Sequence, residues 1–204
     1  MKIALIVEGK TEKAFLGPLR GFLSDRLRDK MPRISPQVEH GRIPTGEKLK
    51  RVVTWCLDDG ADAVIALTDV YTGTREFTDA ADAKRKMRSW VGPEPRFYPH
   101  AAQYDFEAWL LPYWDRIKTI TGCSRACPSG DPERVNHGKP PSQHIHEAYR
   151  TGTKTKNARS YIKTVEALAI LRDQDLTVAA EKCRELADLL NTLIKIAGGD
   201  PVFK

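Results

Sequence analysis

Acidic side chains follow three separate apolar segments of this sequence. Glu8 comes directly after the first segment, Asp69 shortly after the second, and Glu107 after a third near residue 100. Carboxylates that share a site repel one another unless a hard cation lies between them, and Mg²⁺ prefers oxygen ligands. The three acids therefore predict a site for Mg²⁺ or Mn²⁺. The alternative, that each acid only caps a helix or faces solvent, stays open at this point.

The segments that precede these acids have the character of strands. The runs 3–7 and 63–67 are short and wholly apolar, which is typical of strands covered on both faces in a parallel sheet, and a further strand is expected at 96–102. Helical periodicity lies between them, with Thr11 as the expected cap of the first helix and Pro18 as a kink or restart. This alternation predicts an α/β fold with a parallel sheet flanked by helices. Ligands bind at the carboxyl ends of strands in such sheets, where the acids should gather.

The second half of the chain is predicted to be helical. The segment 122–141 is rich in proline and glycine and is interpreted as a long loop, and periodic apolar residues then predict helices near 162–169 and 176–194. We expect residues 1–121 to form the α/β core. Residues 122–204 should form a loop and a helical C-terminal section packed on that core as one structural domain.

Composition restricts the class of protein. The chain has 204 residues, of which 41% are hydrophobic and 29% charged, which is typical of a folded domain and excludes intrinsic disorder. It has no apolar run of the about 20 residues that a membrane helix needs and no signal-peptide pattern, so we expect a cytoplasmic protein. Its four cysteines should be reduced thiols. The formal net charge of +6 favours a polyanion, such as nucleic acid, as the partner.

Basic residues of the second half are candidates for contact with a nucleic-acid backbone. They are Lys139, Arg150, Lys154, Lys156 and Arg159. Phosphate contacts need cations without base specificity, which this run supplies, and the prolines that follow Lys139 should hold it in place. The same run continues to Lys163, and a solvated surface is the alternative interpretation of the run from 150 to 163.

Two further motifs indicate other chemistries less strongly. Cys123 and Cys127, followed by histidines at 137, 144 and 146, have the residue types of a zinc site, but their spacing matches no standard finger. Gly9-Lys10-Thr11 looks like the end of a P-loop, yet Leu5 stands where the upstream glycine is required. ATP hydrolysis by this chain is therefore not expected.

Three segments resemble a known family. The sequence VEGKTE at 7–12, directly after the first strand, resembles the glutamate motif of Toprim domains, which occur in topoisomerases, primases and overcoming-lysogenization-defect (OLD) nucleases. The sequence QYDFEAWLL at 103–111 is similar to the FEAWLL signature of a Toprim-like family, domain of unknown function number 4276. DPE at 131–133 and KPPS at 139–142, followed by Tyr149, match the next block of that family. The resemblance covers nearly the whole chain.

The resemblance implies a Toprim-like, Rossmann-like sheet and assigns roles to residues. Glu8 corresponds to the first-strand glutamate, an acid/base or metal-coordinating residue, and Asp69 to the metal-binding aspartate after the third strand. Toprim proteins usually carry Asp-x-Asp there, whereas this sequence has Tyr71 at the second position. A neutral phenol cannot replace a carboxylate as a charged ligand. Glu107 is the expected substitute, with Asp105 or Glu76 as other candidates.

Two functions follow as hypotheses. The first is a nuclease that depends on Mg²⁺ or Mn²⁺, in which Glu8 positions or deprotonates water, Asp69 and Glu107 hold the metal, and Lys10 neutralises phosphate. The second is a catalytically degenerate Toprim scaffold that binds nucleic acid or a partner protein, and Tyr71 favours it. The resemblance also implies a separate ATPase partner and a role in bacterial defence against phage.

Overall fold

The computed structural model describes residues 1–39, 41–70, 76–134, 139–155 and 161–204, except for the side chains of Lys10, Lys13 and Ala14. In this part of the chain four parallel strands form one sheet in the order β2-β1-β3-β4. The strands are β1 (Lys2–Val7), β2 (Arg33–Val38), β3 (Ala63–Val70) and β4 (Phe97–Gln103). The predicted α/β fold is confirmed.

Helices occupy most of the remaining described residues. The α-helices are α1 (Lys10–Leu27), α2 (Glu47–Asp58), α3 (Ala80–Val91), α4 (Trp114–Thr121), α5 (Pro141–Thr151), α6 (Lys163–Leu171), α7 (Leu176–Ala180) and α8 (Arg184–Ile196). Two 3₁₀ helices, Arg28–Lys30 and Phe106–Tyr113, follow α1 and precede α4, respectively. None of the helices in the described ranges is long and apolar enough to cross a lipid bilayer.

The sheet has a hydrophobic layer on each face. Ile3 and Leu5 of β1 face the layer that contains α1 and the C-terminal helices, whereas Ala4 and Ile6 face the layer of α2 and α3. The runs 3–7 and 63–67 are apolar at every position because both faces of these strands are covered. The division of the chain at residue 121 stays a prediction, although the first layer includes residues from both sides of it.

The first helix differs from its prediction at its start, and it does not restart at Pro18. It begins at Lys10 rather than after a cap at Thr11, and the Glu12 carboxylate accepts the backbone N–H of Gly9 at 3.0 Å, which satisfies a donor at the helix start. The helix also continues through Pro18. Apolar side chains before and after the proline pack on the same core, so burial outweighs the one hydrogen bond that proline removes.

The helix predicted at 176–194 is divided into α7 and α8. Glu133, in the loop before α5, explains where α8 starts. Its carboxylate accepts the backbone N–H of Glu185 at 2.9 Å and the indole N–H of Trp109 at 2.9 Å. A negative charge at a helix N-terminus satisfies donors that the helix itself leaves unpaired.

Candidate functional site

The register of the sheet brings the predicted acids to one edge. Val7, the last residue of β1, is paired with Leu67, and Leu67 with His100, so Glu8 emerges beside the last residues of β3 and β4. Glu8 directly follows β1, and Asp69 is the second-to-last residue of β3. Both side chains are buried. The position that the sequence predicted for these two acids is therefore the position they occupy.

Hydrogen bonds fix Glu8 against the neighbouring strand. Its Oε1 atom accepts the backbone N–H of Asp69 at 3.1 Å and also accepts the hydroxyl of Thr68. These contacts orient Glu8 along the edge of the sheet. The glutamate thus has a defined position relative to the Asp69 backbone.

Glu12 adds a buried carboxylate to this edge. It lies in the first turn of α1, four residues after Glu8 in the same VEGKTE segment. It was not among the predicted site residues. Its position could have indicated it, because the first turn of a helix that follows a strand of a parallel sheet lies at the edge where ligands bind.

Asp105 and Glu107 follow β4 and are also buried. The Oδ2 atom of Asp105 accepts the Ser142 hydroxyl at 2.7 Å and the Ser142 backbone N–H at 3.3 Å, so the N-terminal turn of α5 holds this acid. The Oδ1 atom of Asp105 is buried and has no hydrogen-bond partner among the described residues.

Glu107 is paired with a lysine from the C-terminal section. The Lys163 ammonium lies 3.1 Å from each carboxylate oxygen of Glu107, and the Tyr161 hydroxyl donates to Oε1 at 3.3 Å. Glu107 is 1% exposed, whereas the Lys163 side chain is 48% exposed. The predicted metal ligand therefore has a cation beside it in this structure.

These side chains surround one cavity of about 230 Å³. The described residues that line it are Glu8, Gly9, Thr11, Glu12, Gly41, Asp69, Glu107 and Lys163. The structure thus brings together the three acids that were predicted to bind a metal. It adds Glu12 and Lys163, and Asp105 stands close enough to act on the charges of the group.

The carboxylates act strongly on one another. Burial raises the pKa of Asp69 well above its usual range, and four neighbouring carboxylates raise it further: Glu12, Glu8, Asp105 and Glu107. Burial, followed by the charge of Asp105, raises the pKa of Glu107 to about 7. Burial also raises the pKa of Asp105. The positive charge near these carboxylates is too small to balance their negative charge.

The acidic side chains of the cavity are the type of ligand that a hard divalent cation prefers. All of its members are carboxylates, they are buried together, and one buried oxygen of Asp105 lacks a partner in the described structure. Within the described ranges, however, no group of three His, Cys, Asp or Glu side chains converges closely enough to hold one ion. The acids line a common cavity rather than a finished coordination sphere.

The other predicted site residues lie elsewhere or have other contacts. Lys139 is ion-paired with Glu147 at 2.7 Å, the Lys154 ammonium donates to the Thr119 carbonyl at 2.9 Å, and Arg150 is exposed at the end of α5. Lys156 and Arg159 lie outside the described residues, as do Tyr71 and the side chain of Lys10. Contact of this set with nucleic acid stays a prediction.

The remaining candidates can be located in part. Glu76 forms an ion pair with Arg42 at 3.7 Å and shares a small cleft with Glu8 and Asp69. For the zinc hypothesis, Cys123 is buried and Cys127 exposed, and His137 lies outside the described residues.

Solved structures with distant similarity to this chain include regions of two OLD proteins. The C-terminal region of the Burkholderia pseudomallei OLD protein is 14% identical, with a TM-score of 0.44, and the match covers 92% of this chain and 98% of that one. The C-terminal region of the Xanthomonas campestris pv. campestris OLD protein, phased with mercury, is 12% identical, with a TM-score of 0.42, and the match covers 92% and 95%.

No curated protein gives a significant match to the sequence. The model of one protein family, described as Domain of unknown function (DUF4276), matches residues 7–194. That range contains the residues that line the acid cavity and strands β2, β3 and β4, and it includes every segment on which the resemblance was based. The chain belongs to the DUF4276 family.

Proposed function

We propose that this protein is a divalent-metal-dependent nuclease that hydrolyses phosphodiester bonds of DNA or RNA. The observation that carries the proposal is the cavity in which four carboxylates, Glu8, Glu12, Asp69 and Glu107, face one ammonium group. Burying like charges is costly, and a hard cation is the group that would relieve it. The net charge of +6 and the Toprim resemblance of VEGKTE support nucleic acid as the substrate.

The described residues suggest a division of roles. Asp69, Glu8 and Glu12 would hold the Mg²⁺ or Mn²⁺ ion, which supplies charge stabilisation at the phosphate when bound. Glu8 is oriented by the Asp69 N–H and would position water. Glu107, which lines the same cavity and lies 3.1 Å from the Lys163 ammonium, would complete the ligand set or accept a proton from water. Lys163 would face the negative charge of the phosphate.

A cleavage assay tests the proposal. The purified chain is incubated with labelled single-stranded DNA, duplex DNA or RNA in Mn²⁺, in Mg²⁺ or in EDTA. Wild type should cleave at least one substrate in Mn²⁺ and none in EDTA. Asp69→Asn should abolish cleavage, because the amide keeps the size of the side chain but lacks its charge.

Glu94→Gln is the matched control. Glu94 precedes β4 and therefore lies at the amino edge of the sheet, opposite the acid cavity, where it pairs with Arg96. Cleavage by this variant should equal that of wild type. Cleavage that persists unchanged in Asp69→Asn would refute the assignment of this site.

A binding module without catalysis is the second candidate. Two observations favour it: the described acids do not converge on one point, and Tyr71 stands at the usual second aspartate position. This candidate predicts binding of nucleic acid without cleavage in either metal. A salt titration of binding should then show the decline with ionic strength that phosphate contacts produce.

A partner ATPase and a role in phage defence remain proposals that rest on the Toprim resemblance alone. If a separate ATPase drives the nuclease, cleavage should be stimulated when the ATPase and ATP are added, and Asp69→Asn should remove the stimulation. ATP without the second protein should have no effect, since the P-loop glycine is absent at Leu5.

A further inference from the structure

The acid cavity contains a positive charge that comes from a distant part of the sequence. Of the eight described residues that line the cavity, Lys163 is the one cation. It is the first residue of α6, more than 50 positions after Glu107. The C-terminal section therefore contributes to the charge balance of a site that the first half of the chain otherwise builds.

The ion pair between Lys163 and Glu107 involves both carboxylate oxygens. The Lys163 ammonium is 3.1 Å from each of them, while the Tyr161 hydroxyl contacts the same carboxylate. Burial alone would lower the pKa of Lys163, but the charges of Glu107, Asp105 and Asp69 outweigh it and raise that pKa. The lysine is therefore charged at neutral pH and interacts with several acids at once.

Its exposure allows the ammonium to move without disturbing the fold. The Lys163 side chain is 48% exposed, whereas α6 is anchored by Ala167, Ile170 and Leu171 in the core. A lysine stem is flexible and holds its charge at one point. The charged end can leave Glu107 for solvent while the helix that carries it stays in place.

We propose that the Lys163 ammonium is the resident counter-ion of the acid cavity, so that it stabilises the metal-free protein and competes with a divalent cation for the carboxylates. The inference rests on the proposed metal site. It assigns to Lys163 a positioning role, because the ammonium holds the Glu107 carboxylate in the cavity against the repulsion of Asp105. Occupation by a metal and occupation by the ammonium are then alternatives for the same negative charge.

The experiment measures Mn²⁺ affinity and thermal stability of the full chain. Titration calorimetry gives the affinity, and melting temperatures are recorded in EDTA and in saturating Mn²⁺. Lys163→Met removes the charge and keeps the length of the stem, whereas Lys163→Arg keeps the charge. Lys84→Met is the matched control, because Lys84 pairs with Glu185 at 2.5 Å and with Asp188 outside the acid cavity.

Lys163→Met should bind Mn²⁺ about tenfold more tightly than wild type, because one repelling unit charge is removed. In EDTA its melting temperature should fall by about 4–10 °C, and saturating Mn²⁺ should restore most of the difference. Lys163→Arg should stay within about twofold of wild type in affinity. Lys84→Met should also lose stability, but Mn²⁺ should not restore it.

The possible failures can be told apart. Unchanged Mn²⁺ affinity in Lys163→Met, with binding by wild type intact, overturns the counter-ion role and leaves the proposed metal site standing. Absence of Mn²⁺ binding by wild type and by Lys163→Met alike refutes the proposed metal site, and the inference falls with it. Binding that appears only in Lys163→Met supports the inference, because the ammonium then blocks the site.

Discussion

The stability of the metal-free protein should depend on pH through Glu107. Burial and the charge of Asp105 raise its pKa to about 7, against 4.5 for an unperturbed glutamate. The folded state therefore holds this proton more tightly than the unfolded chain does. The stabilisation is fully present below pH 4.5 and is lost as the pH rises through 7. The difference of about 2.5 pKa units corresponds to about 3 kcal/mol.

Glu107→Gln should remove this dependence, since the amide does not titrate. Urea unfolding in EDTA at pH 5 and pH 8 measures it: between these pH values, wild type should lose about 2–3 kcal/mol more than the variant. Glu47→Gln is the control, because the Glu47 side chain is 79% exposed, and it should follow wild type. Equal losses in wild type and Glu107→Gln would show that Glu107 is not a strained buried acid and would refute the electrostatic account of the cavity.

Three further predictions test the remaining structure. Asp69→Asn should raise the melting temperature in EDTA, because it removes a carboxylate whose charge is opposed by burial and by four neighbouring acids. It should also abolish Mn²⁺ binding in calorimetry. A lower melting temperature would contradict the expected stabilisation. Glu133→Ala should lower the free energy of unfolding in urea by about 2–4 kcal/mol, because the Trp109 indole and the start of α8 lose their acceptor; a change below about 0.5 kcal/mol would contradict that role. Gly152→Ala should destabilise the protein strongly in the same assay, because the added Cβ would lie 2.2 Å from a backbone carbonyl oxygen of α4. Gly17→Ala has open space in α1 and should stabilise the protein by about 0.5–1 kcal/mol. Equal effects of the two substitutions would refute the packing argument.

The sequence was sufficient to predict the sheet and the acid edge because both depend on local patterns. The runs at 3–7 and 63–67 are apolar on both faces, and such strands exist only between two layers of helix. Once the strands are parallel, Glu8 and Asp69 must lie at one edge. Glu107 was reached in the same way from the segment that follows β4. These three acids line the same cavity in the structure.

The rest of the site depends on contacts between distant segments, which no local pattern reveals. Lys163 is one of several basic residues near 150–163, and its spacing does not distinguish the member that reaches Glu107. The helix α5 was missed because prolines at its start suggested only a loop, although proline is well suited to the first turn of a helix. Ser142 in that turn then becomes a partner of Asp105.

The charge balance of the cavity bears on the choice between the two proposed functions. Four carboxylates and one ammonium among its described lining residues leave an excess of negative charge, which repels a phosphate. A module that only binds nucleic acid would gain nothing from such a cavity and would have to place the backbone elsewhere on its basic surface. A nuclease needs this excess, because a divalent cation turns it into a site that attracts the phosphodiester. Glu8, Asp69 and Glu107 therefore support the proposed nuclease more than the proposed binding module.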